Sequence, residues 1–308
     1  MMIVLRCLLV LATTAVTLGG HAAAANPTML LLGADISGSE IFAVGGRGTI
    51  LSSPDSGTTW KRVASPTETT LTAISFSPDG QHGWAVGHDA LIIATSDRGA
   101  SWQQVFQGAN EEDSFLDVCA IDADHIIAIG AYGLYRQSAD GGETWQQRSI
   151  QDEDSHLNRI TRGRDGTLYI AGERGSLLRS VDRGNSWQSI ASDYAGSFYG
   201  ILPLGNRQLL AYGLRGRVFR SNNDGDQWTP IPTQNNSLIA TACRTPDEVI
   251  VMAGQPRTFL LSRDSGASFV RWALPSTMGV SFLLVAPDGR LLAFGESGVV
   301  FLHNPKKL

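Results

Sequence analysis

The chain has 308 residues, 43% of them hydrophobic, and a formal net charge of −5 at pH 7. Its acidic balance excludes the usual class of nucleic-acid-binding protein, which needs a basic surface to contact phosphates. Beyond the N-terminal segment there is no linker, charge block or low-complexity tract. We therefore expect one domain, over residues 26–308, that is large enough to bury an extensive core.

Residues 1–25 have the pattern of a secretory signal peptide. Arg6 supplies a positive charge, residues 8–18 form a short apolar run, and Ala22–Ala25 offer small-residue cleavage sites. The apolar run is too short to cross a bilayer comfortably, although a retained membrane anchor is the alternative. We expect an exported monomer that has no membrane insertion after the signal is removed.

A repeat of about 42 residues organises the remaining chain. The frame S-x-D-x-G-x-x-W, with a few substitutions, occurs at residues 53–60, 95–102, 138–145, 180–187, 221–228 and 262–269. A glycine precedes each frame at the same spacing, and a seventh such glycine is Gly295. A fixed period of this length indicates a repeat architecture.

One repeat shows four short strands. Residues 71–77 have strand composition and are followed by the turn Pro78-Asp79-Gly80. Strands at 82–86 and 91–95 flank a turn at 87–90, and the frame at 95–102 leads into a fourth strand at 102–106. Four antiparallel strands that recur in this way predict one blade of a β-propeller, and the repeats add up to seven blades in an all-β fold.

The seventh repeat is incomplete, with three predicted strands between Val280 and His303 and no frame. A strand from the other terminus commonly completes the last blade, which removes a free sheet edge. Residues 26–32 are the candidates, but residues 29–36 also align with the first strand of the first repeat. Cys119 and Cys243 lie three repeats apart, and we expect two buried free thiols because that separation is too long for a disulfide.

The repeated frame is an Asp box, and it solves a turn problem between the third and fourth strands. A short acceptor side chain can bind backbone N–H groups, the glycine takes a left-handed conformation, and the aromatic ring packs between sheets. The acceptors are Asp55, Asp97, Asp140, Asp182, Asn223 and Asp264, and the aromatic residues are Trp60, Trp102, Trp145, Trp187, Trp228 and Phe269. One carboxylate per box is too few for a calcium site, so we expect structural roles and no metal.

Function is expected on the opposite face. The turn between the second and third strands reads G-x-R-G in three repeats, which presents Arg47, Arg174, Arg215 and the nearby Arg217 on one face. These four residues are the candidate partner-binding site. The alternative is that each arginine pairs with a carboxylate of a neighbouring blade. The acidic runs 110–113 and 151–154 lie in loops of the same face.

Patterns of catalytic residues are absent from the sequence. The six histidines show no metal-ligand spacing, there is no nucleophile elbow, and no glycine loop opens a helix. We therefore expect neither an enzyme nor a cofactor.

With Asp boxes in nearly every repeat, the chain resembles the photosystem II stability/assembly factor family over residues 29–303. The resemblance implies a seven-bladed, exported, non-catalytic scaffold whose arginine face binds a protein partner, a newly made subunit of a membrane complex. It implies the thylakoid lumen in a photosynthetic organism, or otherwise the periplasm. Asp boxes also occur in sialidases, so a sialidase-like glycoside hydrolase or a glycan-binding propeller is the alternative, and a passive structural module is a third hypothesis.

Overall fold

A computed structural model describes residues 29–110, 112–151, 154–255, 258–274 and 278–302. The predicted signal peptide lies outside these residues. The described strands form six four-stranded sheets and one three-stranded sheet, all antiparallel meanders in chain order. Each sheet is one blade, and the predicted seven-bladed β-propeller is confirmed.

The strands of the first four blades follow one pattern. Blade 1 contains β1 (Leu31–Ser37), β2 (Glu40–Gly45), β3 (Thr49–Ser53) and β4 (Lys61–Val63). Blade 2 contains β5 (Leu71–Phe76), β6 (Gly83–Gly87), β7 (Leu91–Thr95) and β8 (Gln103–Gln107). Blade 3 contains β9 (Phe115–Ala120), β10 (Ile126–Gly130), β11 (Tyr135–Ser138) and β12 (Gln146–Gln147). Blade 4 contains β13 (Leu157–Arg162), β14 (Leu168–Gly172), β15 (Leu177–Ser180) and β16 (Gln188–Ser189).

The remaining blades continue it. Blade 5 contains β17 (Phe198–Gly205), β18 (Gln208–Gly213), β19 (Val218–Ser221) and β20 (Thr229–Ile231). Blade 6 contains β21 (Ile239–Arg244), β22 (Ile250–Gly254), β23 (Thr258–Ser262) and β24 (Val270–Arg271). Blade 7 contains β25 (Val280–Val285), β26 (Leu291–Gly295) and β27 (Gly298–Leu302). Short 3-10 turns occur at Ala131–Gly133 and Leu214–Gly216.

The second strand of every blade is apolar on both faces because both faces are covered by neighbouring blades. Strands β6, β10, β14, β22 and β26 are buried along their whole length, whereas the fourth strands of blades 1–6 are largely exposed. Seven apolar clusters fill the seven interfaces between adjacent blades. The cluster formed by Leu31, Ile41, Leu292 and Phe294 joins blade 7 to blade 1 and closes the ring.

Closure involves no fourth strand of blade 7 among the described residues. Leu31 and Leu32, two of the candidates for that strand, belong to β1 of blade 1, and residues 26–28 lie outside the described part of the chain. Side chains join the two blades instead. Trp60 packs edge-on against Phe294 at 6.0 Å, and the Arg290 guanidinium donates to the Asp55 carbonyl at 3.1 Å.

The box at residues 180–187 shows how the repeated frame holds its turn between β15 and β16. Ser180 Oγ accepts from the Gly184 N–H at 2.8 Å and donates to Asp182 Oδ1 at 2.8 Å. The same carboxylate accepts from the Ser186 N–H at 2.9 Å and from its hydroxyl at 2.6 Å. These bonds from Ser186 are the main reason that the pKa of Asp182 is lowered to about 2.

Each box also packs on the blade before it. Gly184 has φ +83°, and a Cβ at this position would lie 2.4 Å from Ile127 Cδ1 of blade 3. Trp187 of blade 4 packs against Tyr135, which also belongs to blade 3, with the ring centroids 6.2 Å apart. Glycine is therefore required here for both its conformation and its size.

Polar side chains on the innermost strands join neighbouring blades around the central channel. Asp35 Oδ2 accepts from the Phe76 N–H of blade 2 at 2.7 Å, and Asp117 Oδ2 accepts from the Ile160 N–H of blade 4 at 2.9 Å. Such bonds matter because the inner edge of a blade has backbone groups that no further strand can pair.

The two cysteines form no disulfide. Cys119 is buried, as expected, but Cys243 is only half-buried, so the expectation of two buried thiols is wrong for Cys243.

Asp182→Ala is expected to lower the free energy of unfolding by about 1–3 kcal/mol, because it removes the acceptor of several hydrogen bonds in a turn that holds two strands. Urea denaturation checks this value. Asp193→Ala, in an exposed loop, is the control, and we expect a change below about 0.5 kcal/mol. Equal losses in the two variants would contradict the structural role of the box.

Asp35 gives the stability of the fold a pH dependence. Burial raises its pKa to about 6, against the influence of the Phe76 and Ile36 N–H groups. Because this folded-state pKa exceeds the ordinary value of 3.8, the contribution of Asp35 is fully present below about pH 4 and is lost as the pH rises through about 6. Asp35→Asn removes this titration.

Urea denaturation of both proteins at about pH 4.5 and about pH 7 measures the effect. We expect the unfolding free energy of the asparagine variant to increase relative to that of wild type between about pH 4.5 and about pH 7. Box aspartates such as Asp182 titrate below this window and cancel in the comparison. If the difference in unfolding free energy between the two proteins is the same at both pH values, Asp35 is not buried as described.

Candidate functional site

The candidate arginines lie in turns with a defined backbone conformation. Arg47, Arg174 and Arg215 have φ of 54°, 52° and 55°, and the glycine after each of them is also left-handed. Asp89 and Tyr132 take this conformation in blades 2 and 3. These five turns therefore share a left-handed residue, which is arginine in three blades and aspartate or tyrosine in the other two.

Each turn is fixed by the loop that leads to the next blade. A Cβ on Gly48 would lie 1.8 Å from the Thr67 carbonyl oxygen, and one on Gly175 would lie 1.9 Å from that of Tyr194. The backbone bonds from Gly48 N to Thr69 O and from Gly175 N to Gly196 O hold the same contacts. The face that carries these turns and loops, opposite the Asp boxes, is called the arginine face below.

All four candidate arginines are exposed on this face. Within the described part of the chain, Arg47, Arg215 and Arg217 form no ion pair with a carboxylate. The alternative of pairing with a neighbouring blade is therefore not observed for these three. Their charges are available to a ligand.

The ring separates these residues into two groups. Blades 4 and 5 are neighbours, so the turns of Arg174 and Arg215 lie side by side. Blade 1 is three blades away from each of them, so Arg47 lies across the channel. The sequence places all four arginines on one face, but the structure does not gather them into one cluster.

Tyr194 links the turns of blades 4 and 5. Its backbone covers Gly175 of blade 4, and its hydroxyl donates to the Leu214 carbonyl of blade 5 at 3.4 Å. The ring packs against Phe198 at 5.0 Å and against Phe219 at 5.2 Å, which holds it in place. Burial raises the pKa of Tyr194, while the charges of Arg217 and Arg215 act in the opposite direction, so both arginines act on its hydroxyl.

Blade 3 contributes an aromatic residue to the same face. Tyr132 is 65% exposed and contacts the His156 ring edge-on at 4.8 Å. His156 Nδ1 lies 3.6 Å from Glu173 Oε1, in the turn of blade 4. Glu173 also lines an open groove of about 950 Å³ between blades 3 and 4, together with Arg148 and Arg174.

The central channel contains a second, smaller space of about 310 Å³. Arg159 lies in it with its guanidinium 5.1 Å from the centre of the Phe282 ring and its Nε 3.7 Å from Asp117 Oδ2. Both Asp35 and Asp117 accept backbone N–H groups of adjacent blades. These carboxylates therefore link neighbouring blades.

Sequence reasoning missed Asp35, Asp117 and Arg159. The available signal was a charged residue within an otherwise apolar innermost strand, where burial demands a partner. Among the described residues, no group of three or more His, Cys, Asp or Glu side chains could hold a metal ion. In the same part of the chain, no helix has the length and apolar character needed to cross a membrane.

Comparisons with known proteins place these observations in a family. The sequence profile described as photosynthesis system II assembly factor YCF48 matches residues 58–114 and 105–247, which is more than half of the chain. The photosystem II assembly lipoprotein Ycf48 of Synechococcus sp. (strain CC9902) is 25% identical over 198 residues, which cover 61% of this chain and 58% of that protein.

A plant protein and a solved structure give the same result. The photosystem II stability/assembly factor HCF136, chloroplastic, of Oryza sativa subsp. japonica is 26% identical over 197 residues, covering 61% of this chain and 42% of that protein. The match thus spans about half the length of these curated relatives. The structure described as YCF48 bound to D1 peptide superimposes with a TM-score of 0.75 at 18% identity, covering 91% of this chain and 92% of the other.

The solved structure supports the fold, and the profile match identifies the family. Together with the seven blades and the repeated box, it leads to one conclusion: this chain belongs to the photosystem II assembly factor YCF48 family.

Proposed function

We propose that this protein is a non-catalytic scaffold that binds a protein partner through its arginine face during assembly of a membrane complex. The observation that carries the proposal is the exposure of Arg47, Arg215 and Arg217 without a carboxylate partner in the described structure. Arginine is enriched at protein interfaces, and its planar guanidinium group can bind a carboxylate through two parallel hydrogen bonds.

Names of relatives support the type of partner. The Synechococcus and rice proteins are named for assembly of photosystem II, and a structural relative is described as bound to a D1 peptide. By this analogy the partner is a subunit of photosystem II. The same relatives are named as assembly factors and not as enzymes, which supports a scaffold over a sialidase-like hydrolase.

The proposed location is outside the cytoplasm, in the periplasm or, in a photosynthetic cell, in the thylakoid lumen. The signal pattern of residues 1–25 supports export. One relative is named a lipoprotein and another chloroplastic, which agrees with export to such a compartment. The scaffold is proposed to act as a monomer, with residues 26–308 as its single domain.

Simultaneous replacement of Arg47, Arg174 and Arg215 by alanine is expected to abolish capture of the partner, because it removes three exposed charges from one face. The measurement is affinity purification of the tagged protein from detergent-solubilised native membranes, followed by mass spectrometry. Wild type is expected to enrich subunits of a photosystem II complex.

The matched control replaces Arg98, Arg183 and Arg271, which are exposed outside the arginine face. It removes the same charge, and capture should persist. Thermal denaturation of both variants reports whether they remain folded. Undiminished capture by a folded variant that lacks Arg47, Arg174 and Arg215 would refute the proposed binding face.

A further inference from the structure

The arginine face is not uniform in charge. The left-handed turn position is occupied by Arg47 in blade 1, Asp89 in blade 2, Tyr132 in blade 3, Arg174 in blade 4 and Arg215 in blade 5. Arg47 therefore has an acidic turn beside it, and Glu68 lines the same shallow space as Arg47. Blade 5 differs because its turn carries two arginines, Arg215 and Arg217.

The turn of blade 5 is also held rigidly. Thr233 Oγ1 donates to the Gly216 carbonyl at 2.8 Å, and a Cβ on Gly216 would lie 1.9 Å from the Asn235 carbonyl oxygen. Tyr194 supports the turn from blade 4 through its bond to the Leu214 carbonyl. A rigid turn loses little conformational freedom when it binds, so its contacts contribute more to affinity.

Charge and apolar surface meet at this turn. Leu214 is 36% exposed, which makes it one of the few large apolar side chains that reach the surface. Arg215 and Arg217 follow it in the chain, and the loop after blade 5, residues 232–238, contains no charged residue. Arg215 and Arg217 form no ion pair with a carboxylate in the described part of the chain, whereas the turn of Arg174 also contains Glu173.

We propose that Leu214, Arg215 and Arg217, supported by Tyr194, form the anchor point of the arginine face and bind a carboxylate side chain that is flanked by an apolar residue on the protein partner. This inference rests on the proposed function and narrows it to one sector of the ring. The two guanidinium groups bind the carboxylate, and Leu214 covers the adjacent apolar side chain. Tyr and Arg are the residue types that dominate such anchors.

Fluorescence polarisation with a labelled peptide tests the anchor. The probe contains alternating aspartate and leucine residues, and its counterpart has asparagine in place of each aspartate. Wild type is expected to bind the aspartate peptide more tightly, and Arg215→Ala/Arg217→Ala should weaken that binding about tenfold at low ionic strength. Arg215→Lys/Arg217→Lys should restore part of it, because lysine keeps the charge but not the planar fork.

Arg98→Ala/Arg183→Ala is the matched control, since both arginines are exposed and have a left-handed conformation but lie outside the arginine face. It should bind the peptide as wild type does. Equal thermal midpoints for the variants show that the fold is intact. The anchor is refuted if Arg98→Ala/Arg183→Ala weakens binding as much as Arg215→Ala/Arg217→Ala, or if wild type does not distinguish the two peptides.

The outcome is separable from the proposed function. Only the anchor is refuted if capture of the membrane partner requires Arg47, Arg174 and Arg215 but peptide binding does not require Arg215 and Arg217. If neither partner capture nor peptide binding depends on these arginines, the scaffold proposal is refuted as well.

Discussion

The packing of each blade against the one before it is the constraint on which this structure depends. An isolated four-stranded sheet of this sequence would expose apolar side chains on both faces, and only a neighbouring sheet on either side can cover them. The Asp box makes that approach possible. Its left-handed glycine allows Gly184 to sit against Ile127 of the preceding blade, and Trp187 then fills the space beside Tyr135.

The same constraint explains where polar groups are buried. Sheets that stand around an axis leave an inner strand edge at the channel, and its N–H and C=O groups need partners that no strand can supply. Asp35 and Asp117 bind such groups of the next blade. Burial raises the pKa of Asp35 to about 6, so this link between blades carries an electrostatic cost near neutral pH. Charged residues in the channel are thus explained by ring assembly.

The two faces of the ring follow from the direction of the chain. The boxes all lie at one end of the strands, and their serine and aspartate side chains form hydrogen bonds within the turn. The turns between the second and third strands lie at the other end, where a shared left-handed conformation presents arginine in blades 1, 4 and 5, aspartate in blade 2 and tyrosine in blade 3. Binding is therefore expected where the repeat varies, and the doubled arginines beside Tyr194 and Leu214 make blade 5 the most distinctive of these turns.

The sequence by itself determined the number of blades, the four-strand pattern, the box positions and the face on which the arginines lie. Period and turn chemistry are local, so they can be read directly along the chain. It did not determine that Arg47 lies opposite Arg215, that Tyr194 joins two turns, or that Asp35, Asp117 and Arg159 meet in the channel. Those relations join residues of different blades, and only the closing of the ring decides which blades are neighbours and which face each other across the axis.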